Sequence, residues 1–132
     1  MQLIQREFFY ETGQIKESFF IDETERIQGE FLAWHDNGKL AKQSFYMNSF
    51  LNGEHKVWGD NGTLMCHCFY KDDKLDGEFK TWYKHGQLRS HHFFKDGEEI
   101  LIFDLVEDHN NISKEEELLL NIKYGYFPLI RQ

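Results

Sequence analysis

The side chains best suited to chemistry in this chain are Cys66, His67, Cys68, His91 and His92. Thiolate and imidazole are zinc donors, and zinc needs every donor within roughly 2.0–2.3 Å of one point. The spacing works against such a site. On an extended strand residues 66 and 68 share a face and residue 67 turns to the other. His92 falls 24 residues after Cys68, at the same place in the periodic pattern described below. It would then lie two strands away, ~10 Å at twice the spacing of neighbouring strands. The cysteines read better as small apolar residues, and no metal or other cofactor is expected. A Cys66–Cys68 bridge would stretch the upper limit of disulfide reach. A reducing, intracellular and cytoplasmic setting is the simplest expectation.

The histidines also suggest acid–base catalysis. No Ser-His-Asp or Cys-His arrangement recurs at a convincing place, however. His67 and His91 occupy one periodic column with Ser18 and Gln43, and a column that accepts such different residues reads as a solvated face. The glycines belong to turns and form no phosphate-binding loop. A non-catalytic chain is expected.

The elements that would position these residues follow from an internal repeat. Thr12-Gly13, Asn37-Gly38, Asn61-Gly62 and His85-Gly86 are spaced by 25, 24 and 24 residues at their glycines. A second series, Gly29, Gly53 and Gly77, keeps intervals of 24, and each member precedes a glutamate: Glu30, Glu54 and Glu78. Side-chain columns hold the same period. They are Phe9, Trp34, Trp58, Trp82; Ile15, Leu40, Leu64, Leu88; Phe20, Phe45, Phe69, Phe93; and Ile21, Tyr46, Tyr70, Phe94. One unit reads as a strand over 53–58, a tight turn in which Asn-Gly supplies positive φ, and a returning strand over 63–70. The polar connection Lys71-Asp72-Asp73-Lys74 leads to the next unit. A lone hairpin is marginal, but a row of them buries a continuous aromatic stripe.

The expected fold is mainly β: an elongated single-layer antiparallel β-meander of about four hairpin repeats over residues 1–103. The first unit carries an extra residue within Asp22–Arg26, where a longer loop or bulge is expected. After Gly97 the repeat fades, and Glu99–Val106 suits a last strand. Residues 104–132 read as a C-terminal helix and apolar tail. Ser113 and Glu116 form a capping-box pattern ahead of a helical run from Lys114 to about Ile122, and Tyr124–Ile130 is apolar. This segment is expected to cap an open sheet edge or face, or to dock on a partner.

Composition supports β-structure: 17% of the residues are aromatic and the single proline is Pro128. The formal charge of -8 repels phosphate backbones and anionic lipid headgroups, so neither nucleic acid nor lipid is an expected partner. No apolar run reaches the ~18 residues of a membrane-spanning helix, and the N-terminus shows no secretory pattern. A single-layer sheet cannot bury both faces by itself. Its excess apolar surface points to a protein partner or to self-association. The residues expected to supply that surface are Trp34, Trp58, Trp82, Tyr46, Tyr70, Tyr83, Tyr126 and Phe127, since large rings with a polar tip suit recognition.

The stretch Gly77-Glu-Phe-Lys-Thr-Trp-Tyr-Lys-His-Gly-Gln-Leu88, followed by Phe93-Phe-Lys-Asp-Gly97, resembles the MORN-repeat variant, found in YwqK-family antitoxin-like proteins and in large DNA viruses. The resemblance spans roughly residues 5–100. It implies an antiparallel β-meander acting as an interaction or assembly scaffold, with a virus particle as one such assembly. As an alternative it implies an antitoxin or immunity-type protein that masks a basic toxin. A metal-binding protein built around Cys66 to His92 is the least favoured reading.

Overall fold

The computed structural model describes residues 2–100. They form ten strands and no helix: β1 (Ile4–Phe9), β2 (Ile15–Ile21), β3 (Gly29–Trp34), β4 (Leu40–Met47), β5 (Phe50–Leu51), β6 (Gly53–Trp58), β7 (Leu64–Lys71), β8 (Lys74–Trp82), β9 (Leu88–Lys95) and β10 (Glu98–Glu99). All belong to one sheet whose order follows the chain, with the short β5 pairing only with β4. Every pairing is antiparallel. The expected meander of four hairpins is therefore observed as β1/β2, β3/β4, β6/β7 and β8/β9. Of the expected strand over 99–106, Glu99 lies in β10 and residues 101–106 lie outside the described residues. The expected C-terminal helix and tail lie outside the described residues, with Tyr126 and Phe127.

The two ends of the hairpins use different turn chemistry. At the Asn-Gly end only glycine takes positive φ, as at Gly38 (φ 88) and Gly62 (φ 89). The glycine amide donates three residues back, from Gly38 to the His35 carbonyl at 3.0 Å. Asn37 and Asn61 do not supply positive φ, contrary to the sequence expectation. Their side chains tie units together instead. Asn37 Nδ2 donates to the Asp60 carbonyl at 2.8 Å, and Asn61 Nδ2 to that of Lys84 at 3.2 Å. The two-residue turns with positive φ at both positions, which match the right-handed twist of a hairpin, occur at the opposite end. They are Asn48-Ser49, Asp72-Asp73 and Asp96-Gly97. Asn and Asp reach this region more readily than other side chains.

The extra residue of the first unit sits in a loop closed by Asp22, which is 3% exposed. Its carboxylate accepts from the Thr24 amide and hydroxyl, the Arg26 amide and Nε, and Gln28 Nε2. These bonds, that of Gln28 foremost, hold the carboxyl well below the usual range.

Packing is that of one layer. Among the described residues the buried apolar side chains are Ile21, Phe31, Cys68 and Phe93. Register explains three of the most buried positions. Phe31 faces Ser44, His55 faces Cys68 and Phe79 faces His92, so most crossings pair a bulky residue with a smaller one along one row. The second-series glycines face rings: Gly29 opposes Tyr46, Gly53 opposes Tyr70 and Gly77 opposes Phe94. A Cβ at Gly53 would lie 3.4 Å from that of Phe45 on the preceding unit.

Candidate interaction surface

Strand alternation sorts the side chains onto two faces. One carries Phe31, Ser44, His55, Cys68, Phe79 and Tyr70. Here ring meets ring from strand to strand: Phe8–Phe19 at 6.0 Å, Phe19–Phe31 at 5.2 Å and Phe31–Tyr46 at 5.8 Å. The last pair repeats as His55–Tyr70 at 5.5 Å and Phe79–Phe94 at 5.8 Å. Burial raises both tyrosine pKa values. Tyr46 and Tyr70 are half-buried within this packing.

Ser44 Oγ lies 2.7 Å from His55 Nδ1, joining one unit to the next across the same face. Burial, then the nearby Lys42, holds His55 below its ordinary pKa. At 1% exposure Ser44 is closed to substrate, so this pair serves packing. Sequence reasoning missed it because its column reads Phe19, Ser44, Cys68, His92, which looks irregular until the facing residues are known.

Cys66 and Cys68 also lie on this face, both free, and His67 turns away as expected. The neighbouring Cys68 thiol lowers Cys66 to about 7, while the bond to Cys66, then burial, pushes Cys68 up. Phe79 stands between Cys68 and His92 in register. Among the described residues no group of three or more His, Cys, Asp or Glu is placed to hold a metal ion.

The other face carries Phe45, Phe69 and Phe93 with a polar row beside them. His67 Nε2 lies 2.7 Å from Glu54 Oε2, and His91 Nε2 lies 2.9 Å from Glu78 Oε2. In the preceding unit Gln43 Nε2 donates to Glu30 Oε2 at 2.7 Å. The column expected to be freely solvated is half-buried instead. Its tolerance of Gln and His reflects a shared partner, the glutamate after each second-series glycine.

Trp34, Trp58 and Trp82 fall on this second face, near the Asn-Gly end. Each opposes a leucine across its hairpin, Leu40, Leu64 and Leu88, at a β-bulge. Between units, Leu40 and Trp58 line a shallow cleft with Lys39 and Gly62. The result is one band in which tryptophan and leucine alternate over six strands. It ends at Leu88, 49% exposed, opposite Trp82, and Tyr83, the residue after Trp82, is 46% exposed. Tyr83 stacks on His85 at 5.6 Å, with the Arg89 guanidinium over its ring at 5.8 Å. Backbone carbonyls anchor the band: Tyr10 Oη donates to Trp34 O at 2.7 Å and His35 Nε2 to Trp58 O at 2.9 Å. The residues expected to form one surface thus divide. The tryptophans and Tyr83 share an edge, whereas Tyr46 and Tyr70 pack on the opposite face.

A family model for the MORN repeat variant matches residues 27–48, 51–72 and 75–96. Neither a curated protein nor a solved structure matches the chain. The matched stretches begin two residues before each second-series glycine and end in the two-residue turns, so each contains one hairpin with its tryptophan, its glycines and its glutamate. Repeats of this kind are non-catalytic and serve in protein and membrane interaction. Three consecutive repeats make up half of the residues, on the sheet they are expected to build, and the chain belongs to the MORN repeat variant family.

Proposed function

We propose that this protein is an interaction or assembly scaffold whose tryptophan–leucine band receives an apolar segment of a protein partner. The observation that carries this reading is the band itself. It crosses six strands without a charged side chain opposite any tryptophan, and it opens to solvent at Leu88 and Tyr83. Large rings carry wide contact area on few rotatable bonds and lose little freedom on binding. Tyr126 and Phe127 are assigned to a cap or docking tail within 104–132. The free thiols suit a reducing, cytoplasmic or virion interior.

Affinity capture with the full chain tests the reading. A partner retained by the wild type and lost with a Tyr83→Ser/Leu88→Ser double variant supports it, because both side chains are exposed and the variant is expected to keep its β-sheet circular dichroism spectrum. A partner retained equally by both contradicts it. The net charge of -8 favours a second, antitoxin-like reading in which the partner is a basic protein. That partner would be released by salt, whereas an apolar contact would hold.

A further inference from the structure

Among the described residues nothing covers the edge formed by β1: β1 pairs with β2 alone, and all six of its residues are exposed. Leu3, Ile4, Phe8 and Phe9 are 46%, 46%, 50% and 57% exposed. Such an edge is a template for another strand unless proline, lysine or a covering segment blocks it. Residues 3–9 contain neither proline nor lysine.

The free backbone groups can be assigned. The Phe20 carbonyl accepts from the Gln28 amide, on the side away from β1. Phe20 opposes Gln5, so this is a pair without mutual hydrogen bonds, and the amide and carbonyl of Gln5 point outward. Alternation gives Glu7 the same direction and turns Ile4, Arg6 and Phe8 toward β2.

The sequence of this edge is self-complementary. Leu3-Ile4-Gln5-Arg6-Glu7-Phe8-Phe9 reads apolar, apolar, polar, charged, charged, apolar, apolar, so a pair of apolar residues flanks the polar centre on each side of Arg6. We infer that β1 pairs antiparallel with β1 of a second copy, about a two-fold axis through Arg6, to form one continuous sheet. In this register Ile4 meets Phe8 of the second copy on one face. Leu3 meets Phe9 and Gln5 meets Glu7 on the other, with the outward groups of Gln5 and Glu7 forming the ladder. Centring on Gln5 sets Ile4 against Arg6 and Leu3 against Glu7. Centring on Glu7 sets like carboxylates face to face. Among the described residues Arg6 and Glu7 have no ion-pair partner of their own. The Arg6 pair on the axis is the one unfavourable contact, so salt should tighten the dimer by screening it. This inference deepens the scaffold reading by naming one partner. It uses no residue of the tryptophan–leucine band except Phe9 at its near end, so either can fail without the other.

Sedimentation equilibrium on the full chain is expected to give twice the 15.9 kDa chain mass. Gln5→Pro should return the monomer with an unchanged β-sheet spectrum, because it removes an outward amide and no backbone bond to β2, only the Gln5 Nε2 to Ser18 Oγ side-chain bond at 3.0 Å. Arg6→Thr should tighten association several-fold. Cysteine trapping checks the register. In a Cys66→Ser background, oxidised glutathione should link Arg6→Cys chains into a disulfide dimer, reducing two glutathiones' worth of sulfur in exchange, and should leave Glu7→Cys chains unlinked. A wild-type monomer at the highest soluble concentration would overturn the inference. So would a dimer that Gln5→Pro leaves intact, or equal trapping at residues 6 and 7.

Discussion

The Leu51 amide donates to Asp73 Oδ1 at 2.6 Å, and the Asp73 amide donates back to the Leu51 carbonyl at 2.9 Å. The same reciprocal clasp joins Ile27 to Ser49, at 2.9 Å in both directions. In the last unit Gly97 keeps only the backbone half, its amide donating to Leu75. The clasp locks each two-residue turn to the unit before it, and it needs an oxygen-bearing residue at positive φ.

Asp73→Ala should therefore lose about 2 kcal/mol in urea denaturation, combining the lost hydrogen bond with alanine in the left-handed region. Asp73→Gly loses the bond without the strain and should cost roughly half as much. Equal losses would mean that the conformation at φ 68 contributes nothing.

His55 gives a pH dependence with a definite sign. Burial, then Lys42, lowers its pKa in the folded chain. Between that lowered value and the unfolded value near 6.5, the unfolded chain holds more protons. The contribution to stability is complete above about 6.5 and is lost as pH falls through the window. Denaturation midpoints at successive pH values should show this slope, and His55→Gln should flatten it.

Two glycines should respond differently to a side chain. Gly62, at φ 89 with nothing near its virtual Cβ, should lose about 1 kcal/mol as Gly62→Asn, since Asn tolerates left-handed backbone. Gly53 lies at φ 122, where a Cβ also meets Phe45. Gly53→Ala should cost about 2–3 kcal/mol. Thermal unfolding of the two variants distinguishes them.

The glutamate row predicts a substitution that the protein itself has already made. Gln43 holds Glu30 where His67 holds Glu54, so His67→Gln should shift stability by no more than about 0.5 kcal/mol. Glu54→Ala strands both His67 and Lys56 and should cost about 1 kcal/mol. Urea midpoints of the two variants test the ranking.

Much of the fold was legible because period 24 recurs in side chains that a sheet cannot relocate. Trp34, Trp58 and Trp82 must share a row once their glycines fix the hairpins. The turns were less legible. Asn-Gly suggests positive φ at both residues, yet a glycine alone can supply it while asparagine bridges to the next unit. Asp72-Asp73 carries no glycine to announce its conformation. The division of the aromatic surface was hidden for another reason. Tyr46 and Trp34 are both large rings in regular columns, and only the register of β3 against β4, in which Gly29 opposes Tyr46, together with strand alternation shows that they lie on opposite faces. The pairing of Ser44 with His55 depends on the register between separate hairpins, which no local pattern encodes.

Hydroxyl-radical footprinting of the complex with a captured partner tests the central claim most directly. The account predicts that oxidation of Trp58, Trp82, Tyr83 and Leu88 falls on binding while that of Tyr46 and Tyr70 stays as in the free chain. Protection of Tyr46 and Tyr70 with the tryptophan edge left open would contradict it.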